Sequence, residues 1–113
     1  MIQYTNTIMT PSSIYGDVLS LIQFLETHTE LPCSALRITD KANRRHLPLD
    51  VQEAILELQH LLNEYFNEQS RVDALLKYCA ENHCTISYTQ GGEDTWGLTT
   101  FFLNLSKGKI WFG

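Results

Sequence analysis

Between His46 and Ser70 the apolar residues Val51, Ala54, Ile55, Leu58, Leu61, Leu62, Tyr65 and Phe66 recur at spacings that suit only a helix. On a wheel advancing about 100° per residue they fall within roughly 80° either side of Val51. Alternation with period two, the mark of a half-buried strand, would scatter the same residues over both faces. This segment must therefore lay one stripe against the rest of the protein. With 113 residues and 43% hydrophobic content the chain has enough apolar material to supply that core as one domain, residues 1–113.

The opposite side of the same helix carries all of the net charge. The whole chain is at −5, and from His46 to Ser70 it has Asp50, Glu53, Glu57, Glu64 and Glu68 but neither Lys nor Arg. The remainder is neutral. The acids fall between about 200° and 260° on the wheel, with His60 beside them near 180°. Gln52, Gln59, Asn63 and Asn67 fill the other flank, with Leu56 alone among them. Solvated helices gain a few tenths of a kcal/mol from Glu-to-Lys pairs at i,i+4. Glu53/Glu57 and Glu64/Glu68 are like-charge pairs instead, and Glu64 and Glu68 sit where the helix dipole disfavours acids. Such a ridge serves either solvation or a partner.

The other elements follow from pattern. Ile2, Tyr4 and Ile8 alternate, which predicts a strand over 2–9. Thr10 and Pro11 then supply a cap and a first-turn proline for a helix reaching His28, with Ile14, Val18, Leu21, Ile22 and Leu25 on one side. Residues 34–39 read as a short strand and 40–48 as a loop. Asp50 with Glu53 has the spacing of a capping box, and Ser70 with Asp73 repeats it before a helix over 71–83. Its stripe of Val72, Leu75, Leu76 and Cys79 continues to His83. Residues 84–89 and 96–105 predict strands. Ser106-Lys107-Gly108 suits a three-residue hairpin loop, with Gly108 left-handed and a last strand through Ile110, Trp111 and Phe112. The order β-α-β-α-α-β-β-β predicts an α+β fold, with three helices packed on one face of a mostly antiparallel sheet.

Several chemistries find no footing. Cys33, Cys79 and Cys84 are an odd, sparse set, unlike a secreted disulfide scaffold. Neither the Cys79, His83, Cys84 group nor His28 with Cys33 has the Cys-x-x-Cys spacing of structural zinc, so no metal is expected. No nucleophile elbow and no phosphate-cradling glycine loop occurs, so no catalytic residue or cofactor site is assigned. A −5 balance argues against direct nucleic-acid or anionic-membrane binding. The first ten residues hold neither a basic nor a long apolar run, which argues against a secretory leader and for a cytoplasmic protein.

The expectation is a small non-enzymatic protein that binds and neutralises another protein with a basic site, of the kind that holds a nucleic-acid backbone. Immunity proteins, antitoxins and phage inhibitors have that physical design. The partner-binding residues would be Asp50, Glu53, Glu57, His60, Glu64 and Glu68. Secondary candidates are the tip residues Glu93, Asp94 and Trp96 and the basic loop residues Lys41, Arg44 and Arg45. The alternative is a small-molecule-binding or enzymatic α+β domain, with an aromatic-lined pocket near Tyr78, Tyr88, Trp96 and Trp111.

Overall fold

A computed structural model describes residues 11–28, 30–31, 35–39, 41–89 and 100–112. In chain order the elements are α1 (Pro11–His28), β1 (Ala35–Arg37), α2 (Lys41–Arg44), α3 (Leu49–Tyr65), α4 (Gln69–Glu81), β2 (Ile86–Thr89), β3 (Thr100–Leu105) and β4 (Gly108–Phe112). The fold is α+β: three long helices and a four-stranded sheet share one core, with strand order β1-β4-β3-β2. Two of the three strand pairings are antiparallel and β1 runs parallel to β4. The strand expected over 2–9, Thr10 as its helix cap, Cys33, and the tip with Glu93, Asp94 and Trp96 lie outside the described residues.

The sheet explains why the C-terminal third is so rich in β-branched and aromatic residues. Pairing aligns Leu36, Ile110, Leu103 and Ile86 in one row across all four strands, each of them buried. A second row on the same face joins Phe112, Phe101 and Tyr88. Against this face α1 turns Ile14, Val18, Ile22 and Leu25, the stripe its helical spacing requires. The seam of α3 (Val51, Ala54, Ile55, Leu58, Leu61, Leu62) packs mainly on α1, and α4 lies against β2. Tyr15 ties the helices together, with its ring 5.6 Å from Phe66 and 5.4 Å from Tyr78.

Local structure departs from the sequence reading at five places. The stretch expected as a loop over 40–48 contains the helical turn α2. That turn is held where the Arg44 guanidinium donates to the Ile38 carbonyl and by burial of Leu47. Helix α3 starts one residue before Asp50, so the Asp50–Glu53 capping box does not form. Pro48, at φ −55° and ψ 150°, ends the extended chain and its carbonyl accepts the Gln52 N–H at 3.0 Å. The Asp50 carboxylate instead accepts the adjacent Val51 N–H at 2.9 Å.

At α4 the capping residue is Glu68 rather than Ser70, and Asp73 accepts a hydrogen bond from the Gln69 amide at 2.9 Å. The same helix stops at Glu81, which removes His83 from the buried stripe. The Cys84 N–H bonds the Cys79 carbonyl at 2.8 Å and the His83 N–H bonds that of Ala80 at 3.2 Å. This is a Schellman cap, whose left-handed position usually holds glycine. Here it holds exposed His83 at φ 61°. Finally, Leu105 pairs directly with Gly108, leaving a two-residue hairpin loop where three were expected. Gly108 does take a positive φ, 150°, that side-chain-bearing residues avoid.

His83 yields a direct test. A non-glycine residue in the left-handed region costs about 1–2 kcal/mol, of which glycine's extra unfolded-state entropy returns a portion. His83→Gly should therefore raise stability by about 0.5–1 kcal/mol, read as a higher urea midpoint at unchanged slope. A drop in the midpoint would mean that the imidazole contributes more than its backbone costs.

Candidate protein-binding face on the third helix

Because α3 buries one stripe against α1, its remaining circumference is fixed in direction by the core and not by its own polar residues. Asp50, Glu53, Glu57, His60 and Glu64 are all exposed on it. The sixth predicted residue is placed elsewhere. Phe66 turns inward at 2% exposure and ends the helix, with its N–H on the Leu62 carbonyl at 3.1 Å. Glu68 therefore leaves the ridge and takes the N-cap position of α4 without a side-chain cap bond, its carboxylate meeting Arg71 at 3.8 Å. Among the described residues no cation pairs with Asp50, Glu53, Glu57 or Glu64; the two ion pairs found there are Glu68–Arg71 and Glu30–Lys107.

Two residues that the sequence reading did not assign complete the face. Leu49 is 70% exposed and Leu56 43%, and they are the exposed large hydrophobics of the described residues. Seven residues apart on one helix, they lie near 140–160° on the wheel used above, next to His60 and the first acids. The pair is bordered by acids on one side and by Gln52, Gln59 and Asn63 on the other.

The secondary candidates are not equivalent. Lys41 and Arg45 are exposed, whereas Arg44 is half-buried and occupied by the Ile38 carbonyl, which makes it a structural residue. The aromatics proposed for one pocket separate. Tyr88 faces the core beside Phe101, with ring centroids 6.1 Å apart. Trp111 stands on the other face, edge-on to Phe102 at 5.4 Å and under the Arg37 guanidinium at 4.8 Å. Tyr78 packs on Tyr15. Tyr88 and Trp111 therefore cannot line one cavity. The Trp111 indole N–H is buried without a hydrogen-bond partner among the described residues.

Both described cysteines are free. Burial pushes the Cys79 thiol up from an ordinary 9.0 to about 12, with the neighbouring Cys84 adding to the effect. Cys84 is raised too, first by burial and then by the charge of Glu26. Thiols held in the neutral form are poor nucleophiles and poor metal ligands. Among the described residues no three His, Cys, Asp or Glu side chains converge to hold a metal, and no helix is long and apolar enough to cross a membrane. Compared with protein-family models, with curated proteins and with solved structures, the chain matches none.

Proposed function

We propose that this protein works by binding another protein through the outward face of α3, and that the partner presents a basic patch which the ridge occupies. A partner site that normally holds a nucleic-acid backbone would be blocked this way, in the manner of an immunity protein, an antitoxin or a phage inhibitor acting in the cytoplasm. The observation that carries the reading is the conjunction on one helix of Leu49 and Leu56, both exposed, with Glu53, Glu57 and Glu64, none of them paired with a cation among the described residues. A face serving solvation alone gains nothing from two leucines, and it is stabilised by mixed signs. In a contact the leucines supply the desolvated centre, while the acids choose the partner and speed encounter.

The test is the salt dependence of association with a partner captured from the native host. Raising salt from about 0.1 M to about 1 M shortens the Debye length from ~10 Å to ~3 Å and should weaken association by about tenfold or more. Association that is unchanged or stronger at high salt would place the contact on an apolar surface elsewhere.

A further inference from the structure

A cleft of about 610 Å³ opens where the last turns of α1, the α4–β2 turn and the β3–β4 hairpin meet. Its size is that of a small-molecule site. Ile22 and Leu105 contribute apolar surface, and Glu26, His83, Cys84 and Asn104 contribute polar groups. Among the described residues neither Lys nor Arg lines it; Lys107, on the adjoining hairpin, is engaged by Glu30. Among the described residues Glu26 is the one carboxylate in the lining, and it is positioned. The Ser106 N–H lies 3.2 Å from each of its oxygens, and the Ser106 hydroxyl donates to Oε1. These bonds leave acceptor capacity on Oε2, since a carboxylate offers about four lone-pair sites.

Two helices also end at this cleft. Glu26 and Thr27 belong to the last turn of α1, and Asn82, the C-cap of α4, lines the cleft with His83 and Cys84 after it. Helix C-termini carry partial negative charge, which favours a cation within about one turn. A pinned carboxylate beside apolar surface therefore favours a cation, and the two helix C-termini act in the same direction although Thr27, Asn82 and the Cys84 N–H already engage carbonyls of their last turns.

We propose that this cleft binds an organic cation, a primary ammonium on an apolar body, with the ammonium on Glu26 and the apolar body against Ile22 and Leu105. The site is separate from the α3 face and does not depend on it. Anionic ligands would meet the carboxylate and both dipoles head-on.

The experiment is an amide chemical-shift titration of the full chain at about pH 8, above the ordinary titration range of histidine. The probes are n-hexylammonium, 1-hexanol and hexanoate. Hexylammonium should shift the amides of Cys84, Thr85 and Ser106 saturably in the millimolar range. Hexanol should bind about tenfold more weakly or worse, because it lacks the charge-assisted hydrogen bond, and hexanoate should not bind. Glu26→Gln keeps an acceptor for Ser106 and should weaken hexylammonium by about tenfold or more. The comparison of the three probes on the unaltered protein stands even if that variant fails to fold. Equal affinity for hexanol and hexylammonium, full affinity in Glu26→Gln, shifts confined to Glu53, Glu57 and Glu64, or no saturable shift at all would each overturn the proposal.

Discussion

Changing Glu53, Glu57 and Glu64 together to lysine should leave a folded protein that no longer engages its partner, with affinity lowered roughly 100-fold or more. The fold should survive because all three side chains are exposed on α3, opposite the buried seam of Val51, Leu58 and Leu62. Local electrostatics nearly cancel. Glu53→Lys places a cation three residues after Asp50, a favourable neighbour, and Glu64→Lys suits the helix C-terminus. Against this, a lysine at position 53 is disfavoured by the nearby N-terminus, and the pair at 53 and 57 remains like-charged. The net change in stability should stay within about 1 kcal/mol. Binding has no such cancellation, since three attractive contacts become three repulsive ones against a basic patch. Titration calorimetry and a melting curve on the same sample separate the two effects. A ridge-reversed protein that melts normally and binds normally would leave the acids a solubility role only.

Phe101→Ala should be among the most damaging single truncations, costing about 3–5 kcal/mol. The ring is 2% exposed in β3, an interior strand of the sheet, and is paired across to Phe112 on one side and Tyr88 on the other. Removing it opens a hole between two strands whose backbone pairing prevents collapse. For a domain with roughly 5–15 kcal/mol of total stability the loss takes a large share. Urea unfolding should show a much lower midpoint, or no cooperative transition at all. A cost below about 1 kcal/mol would mean that neighbouring side chains refill the site without strain.

The helices were legible in the sequence because their cause is local. The stripes of Ile14, Val18, Ile22, Leu25 and of Val51 through Leu62 are read at the helical period, and the core uses those residues. Helix ends were less legible, because side-chain signatures compete with backbone constraints. Pro48 and not Asp50 decides where α3 begins, and burial of Phe66 decides where it stops. That second decision removed Glu68 from the ridge. The first explains why Leu49, one residue ahead of the start that Asp50 signals, carries no helix signature in the sequence. Leu56 did stand out on the wheel as the one apolar residue among amides, but a lone exposed leucine signals little without its neighbour seven residues earlier. The cleft at Glu26 had no signal in the sequence. Its contact with Ser106 spans 80 positions and exists only because the β3–β4 hairpin folds back toward α1.

The most direct measurement is photo-crosslinking in the native host from a benzophenone side chain at position 56, with position 87 on the far face of the sheet as the comparison. Both positions are exposed, so the probe should disturb neither the core nor the sheet. Position 56 should crosslink to one protein with a basic surface, position 87 should not, and the crosslink should vanish when Glu53, Glu57 and Glu64 are all changed to lysine. A crosslink to the same protein from position 87 but not from 56, or one at 56 that persists after charge reversal, would contradict the assignment of α3 as the contact face.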